Sequence, residues 1–143
     1  MQVRETYNYE EILYDCYGTD DDVVAKFHRN ESGNIDKCVM QNVAEFKESE
    51  SFRMFELLEK GERVGYFGTE QQGTIKSLTG FFLKPKYRTT KMKDEFWRIV
   101  RDEMRSEFYT GIASRNVRAE KHLINQGARK IGIDNKISIF KLN

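Results

Sequence analysis

The sequence predicts an α/β fold (α+β in some schemes), three layers deep, with helices on both faces of a mostly antiparallel mixed sheet. Three observations lead there. Residues 74–83 form an apolar run rich in β-branched and aromatic side chains, the pattern of a central strand. Met92, Phe96, Ile99, Val100 and Met104 then recur at spacings of four, three, one and four, which is one apolar face of a helix. Short apolar runs bounded by Gly, Asn and Asp precede and follow this pair. At 143 residues, with 10 Phe, 7 Tyr and 1 Trp to fill a core, one domain over residues 1–143 is expected.

In chain order, Val3–Tyr7 reads as a first strand with weak alternation. Asn8 followed by Glu11 has the form of a capping box, and Tyr9, Ile12, Leu13 and Cys16 make the stripe of the helix it opens, ended at Gly18. Thr19 and the acids Asp20, Asp21 and Asp22 suit the start of a second helix. That helix is expected to reach Phe27 or His28, with Val23, Val24 and Phe27 inward and a loop over 30–34 behind it. Ile35, Val39, Val43 and Phe46 predict a third helix over 35–47. Residues 52–72 read as a hairpin turning around Glu59–Glu62, and Gly73 leads into the central strand. After the central helix, Phe108–Ala113 is a short buried strand. Ser114 or Asn116 caps a helix that buries Ala119 and Leu123 and stops at Gly127. Residues 128–133 and 136–142 close the chain as a hairpin about Asp134 and Asn135.

Between central strand and central helix lies Lys84-Pro85-Lys86-Tyr87-Arg88-Thr89-Thr90-Lys91-Met92-Lys93, with five basic residues and no acid. A helix N-terminus offers unpaired N–H groups and a partial positive charge, so this turn is a seat for an anion such as a pyrophosphate. The unit resembles the cofactor-binding core of the GNAT superfamily of acyl-CoA-dependent N-acetyltransferases. There a Leu-x-Val-type strand runs into x-Pro-x-Tyr-Arg, a glycine-containing phosphate loop and a helix; here the matching stretch is Phe82-Leu83-Lys84-Pro85-Lys86-Tyr87-Arg88. Asn116, Ala119 and Gly127 fit the family's Asn-x-x-Ala-x7-Gly spacing downstream. The resemblance implies a sheet splayed between its fourth and fifth strands. It also implies acetyl-CoA as cofactor, held by Phe82 and Leu83 along the pantetheine arm, by Arg88, Thr89, Thr90, Lys91, Met92 and Lys93 at the pyrophosphate, and by Asn116.

The chain departs from the family at the loop, where Lys91 and Lys93 replace small residues that let the backbone approach the phosphates. It departs again at Leu123, where the family often carries a general-acid tyrosine; a rise in acetyl transfer with Leu123→Tyr would mark a site lacking only its acid, and no change in a protein that binds CoA would mean that the chemistry fails elsewhere or uses another group. His122 stands beside that place and could shuttle protons, but the one-position offset turns it about 100° around the helix, which favours a surface or core histidine. Glu70, Ser77, Tyr109 and Ser114 are candidate acids and bases near the sheet, and spacing singles out none of them, so the catalytic residue stays unknown.

Two functions stay open. One is an N-acyltransferase moving an acetyl group from acetyl-CoA to an amine. The other is a GNAT-like protein without catalysis that binds protein partners, similar to internal virion proteins of tailed bacteriophages. The expected location is the cytoplasm, or the virion in the second case: no 18-residue apolar run is present and residues 1–5 lack a signal-peptide pattern. Cys16 and Cys38 read as buried reduced thiols, and they and His28 and His122 lack metal-ligand spacing. The net charge of +1 divides into −7 over residues 1–83 (9 Lys/Arg, 16 Asp/Glu) and +8 over 84–143 (15 against 7), which suits an anionic ligand on the second half. Tyr87, Phe108 and Tyr109 beside basic residues lack any nucleic-acid motif and read as sheet and core aromatics.

Overall fold

A computed structural model describes residues 1–143. The elements run β1 (Gln2–Thr6), α1 (Tyr9–Tyr17), α2 (Val23–Ser32), α3 (Ile35–Glu48), β2 (Arg53–Glu59), β3 (Glu62–Gln72) and β4 (Ile75–Leu83). A 3₁₀ turn over Pro85–Tyr87 follows, then α4 (Thr90–Met104), β5 (Phe108–Ala113), α5 (Val117–Asn125), β6 (Arg129–Asp134) and β7 (Ile137–Leu142). The seven strands form one sheet in the order β1-β2-β3-β4-β5-β7-β6. Every neighbouring pair is antiparallel except β4 and β5, which run parallel.

Side-chain alternation along the strands sorts the apolar residues into two cores. Met54, Tyr66 and Phe82 point to one face and pack with Ile12, Leu13, Cys16, Val39 and Phe46 of α1 and α3. Their neighbours Phe55, Phe67 and Leu78 belong to the other face, with Phe96, Trp97, Val100 and Met104 of α4 and Leu123 of α5. Helices therefore cover both faces, and the molecule has three layers. Both cysteines are buried, and burial pushes the Cys16 thiol up to about 12, so it stays an inert thiol at neutral pH.

Three local expectations are corrected. Asn8 holds the N-cap position of α1 without a side-chain cap bond; its backbone N–H donates to Thr6 Oγ1 instead, which removes the capping box. The second helix continues to Ser32, because the residues expected as a loop complete its last turn before Gly33 at φ +108°. Its start is set by Asp22, whose Oδ2 accepts from Ala25 N, and this rotation buries Ala25 and leaves Val23 56% exposed.

The feature that shapes the site is the break between β4 and β5. The two strands pair only at Ser77–Tyr109 and Leu78–Thr110, and the Thr110 hydroxyl donates to Leu78 O at 2.9 Å to close the apex. Beyond Leu78, β4 takes an extra residue relative to β3: Phe67 faces Phe81 while Thr69 faces Leu78. Such a bulge bends and twists the strand, and here it turns residues 79–83 away from β5. Gly80 sits in the bulge at φ +89°, and a Cβ there would lie 3.2 Å from the Tyr66 hydroxyl. The sheet is splayed between its fourth and fifth strands.

Candidate functional site

A cleft of about 360 Å³ opens in that splay. Phe81, Phe82 and Leu83 of β4 form one wall, Phe96 and Trp97 of α4 the floor, and Asn116, Ala119 and His122 at α5 the facing wall; Val24 of α2 reaches in from the other layer. Arg88, Lys93, Arg118 and Lys121 supply four cationic side chains to the lining, and no acid joins them. A small apolar cleft ringed by one sign of charge favours a ligand with an apolar arm and an anionic group.

The open edge of β4 is set by the ladder on its other side. Lys84 N donates to Val64 O at 2.8 Å, so strict antiparallel alternation sends the backbone groups of Phe82 toward β3 and those of Phe81 and Leu83 toward the opening. The Leu83 carbonyl is occupied by Arg88 Nε at 2.6 Å. The start of α4 lies at the rim. Thr89 caps it, its Oγ1 accepting from Met92 N at 3.3 Å, which leaves the N–H groups of Thr90 and Lys91 as the helix's free donors.

The Trp97 indole N–H donates to His122 Nε2 at 2.8 Å. That bond assigns the ring proton to Nδ1 and the ring to its neutral form. Burial, with Lys93 and Arg88 nearby, holds the His122 pKa below the ordinary histidine value, which favours the same neutral form. A neutral imidazole keeps one N–H, on Nδ1, to donate.

Solved structures share this architecture over nearly the whole chain. An acetyltransferase from Thermus thermophilus superposes at a TM-score of 0.72 with 12% identity, covering 99% of this chain and 97% of its own. An aminoglycoside 6'-acetyltransferase type Ii gives 0.70 at 14% identity, over 100% and 97%. A GNAT family acetyltransferase from Elizabethkingia anophelis with acetyl-CoA bound gives 0.67 at 6% identity, over 99% and 97%. This is the GNAT fold. At these identities the likeness is one of fold; no protein-family model matches the sequence, and no curated protein does.

On that fold the sequence-derived cofactor residues divide. Phe82, Leu83, Arg88, Lys93 and Asn116 line the cleft, whereas Thr89, Thr90, Lys91 and Met92 lie outside its lining, at the start of α4. Asn116 also caps α5, its Oδ1 accepting from Ala119 N at 3.2 Å. Glu70, Ser77, Tyr109 and Ser114 do not line the cleft. Phe108 is fully buried core. No cluster of His, Cys, Asp or Glu is arranged to hold a metal ion, and no helix is long and apolar enough to cross a membrane.

His122 is half-buried and lines the cleft wall, and the neighbouring Leu123 is the core residue, fully buried. The helix turns the two about 100° apart, and the apolar side chain takes the inward place. Sequence reasoning also missed Arg118 and Lys121. Their signal was present, because Arg118, Lys121, His122 and Asn125 recur at helical spacing and so share one face of α5.

Proposed function

We propose that the protein is a single-domain, cytoplasmic N-acyltransferase that binds acetyl-CoA in the β4–β5 cleft and transfers its acetyl group to an amine. The observation that carries this reading is the cleft itself: an apolar, splayed strand edge whose lining holds four cationic side chains and no acid. Phe81 and Leu83 would meet the pantetheine arm along the open edge. Lys93, Arg118, Lys121 and the free N–H groups of Thr90 and Lys91 would meet the phosphates. The cofactor supplies an activated thioester. An amine nitrogen forms a bond to its carbonyl carbon, the carbon–sulfur bond breaks, the nitrogen gives up a proton and the departing thiolate gains one. His122, neutral with its N–H on Nδ1, donates a hydrogen bond in the cleft rather than acting through Nε2, which Trp97 already occupies.

Incubation with acetyl-CoA and a panel of primary amines, with released thiol measured, tests the reading. Amine-dependent thiol release is expected, with Lys93→Glu raising the KM for acetyl-CoA. A protein that binds CoA and releases no thiol with any amine would contradict transfer.

A second reading, a GNAT-shaped binding or virion protein without catalysis, is favoured by one observation. Arg88, the cleft arginine expected at the phosphates, is already bonded to protein groups.

A further inference from the structure

Arg88 makes three hydrogen bonds inside the protein. Nε donates to Leu83 O at 2.6 Å, while Nη1 and Nη2 donate to Oδ1 and Oδ2 of Asp22 at 2.7 and 3.0 Å. Its guanidinium carbon also lies 5.1 Å from the centre of the Phe82 ring. Three of the five guanidinium N–H groups are thereby used, and the charge is matched by a carboxylate whose side chain is only 6% exposed.

Asp22 is at the same time the N-cap of α2, with Oδ2 accepting from Ala25 N at 3.1 Å. One carboxylate therefore ties the first turn of α2 to the segment that follows β4. At the far end of α2, Glu31 pairs with Arg115, which follows β5. The helix is fastened to both arms of the splay, and Val24 of its first turn lines the cleft between them.

We propose that Asp22 is a positioning residue that latches Arg88: it withholds the arginine from an entering phosphate and couples cofactor binding to the first turn of α2. This rests on the reading of the cleft as a phosphate-bearing cofactor site. A phosphate that draws on Arg88 either displaces the carboxylate or sits beside it, and like charges repel in both cases. Asp22 therefore opposes the anion. Once its bond to Arg88 is weakened, α2 keeps its cap and loses its anchor on the β4 arm. Cofactor then binds first, and loosening of α2 follows on the layer opposite α4 and α5.

Asp22→Asn separates the two roles of the side chain, since asparagine caps a helix as well as aspartate and carries no charge. Calorimetry with CoA should show about tenfold tighter binding by this variant than by the native protein, the worth of one charged hydrogen bond. A variant that merely damages α2 loses affinity, whereas removal of the opposing carboxylate charge gains it. Hydrogen exchange over residues 23–32 supplies the second measurement. Saturating CoA should speed exchange in the native protein, and the variant should exchange faster without ligand. Equal CoA affinity in both proteins, with α2 exchange unmoved by CoA, overturns the latch and leaves the cofactor reading intact. Binding by the variant alone supports the latch in its strongest form. Binding by neither protein at millimolar CoA overturns both.

Discussion

The bond from the Trp97 indole to His122 Nε2 ties the only tryptophan of the chain to the one histidine of the cleft. Protonating that nitrogen removes the acceptor, so Trp97 fluorescence should report the titration directly. Burial and the nearby Lys93 and Arg88 lower this pKa, so the fluorescence midpoint should fall below the ordinary value of about 6.5, and His122→Asn should abolish it. Stability changes with the same titration. Between the folded and unfolded pKa values the unfolded chain holds the extra proton, so the contribution is present above about pH 6.5 and is lost as pH falls. His28 is shifted the same way by burial and adds to the loss, which is why the fluorescence signal rather than the melting curve isolates His122. A midpoint at or above the ordinary value would contradict the buried, neutral assignment. One position along, Leu123 is fully buried against the α4 core, so Leu123→Tyr should destabilise the fold by about 1–3 kcal/mol in a denaturant melt without raising acetyl transfer. A stable variant with faster transfer would mean that position 123 can reach the reacting atoms after all.

At the scale of elements, α4 separates the two lysines of its first turn. Lys93 lines the cleft, and Lys91 is exposed outside it. Lys93→Glu should weaken CoA binding by about 1–3 kcal/mol, the range for charged hydrogen bonds. Lys91→Glu should cost under about 1 kcal/mol, as an exposed charge does. Equal losses, measured by calorimetry, would place the phosphates on the outer turn of the helix instead. Most elements were legible because their apolar stripes have one period and one buried face, as in α3, α4 and β5. The second helix was cut short because Arg29 to Ser32 carry no apolar stripe; they are held by Arg29 donating to the carbonyls of Tyr17 and Thr19, contacts that lie outside any local pattern. The break in β4 was expected from resemblance, yet its physical cause, an extra residue at Thr79–Gly80, depends on pairing with β3, and in β4 itself its mark is the glycine at position 80.

For the molecule as a whole, the charge division has a structural counterpart. Lys93 of α4 and Arg118 and Lys121 of α5 gather with Arg88 at one cleft, and Asp22 of the acidic first half pairs with Arg88. Net charge and motif spacing indicated an anion site on the second half. They did not reveal that Arg88 is shared with Asp22, because that pair spans 66 residues of sequence. On the proposed function, the splayed cleft seats a CoA phosphate and arm. Calorimetric titration of the folded protein with CoA tests it most directly. Micromolar binding, weakened by Lys93→Glu, is the predicted result. Absence of heat at millimolar CoA would contradict it and leave a GNAT-shaped protein without a CoA site.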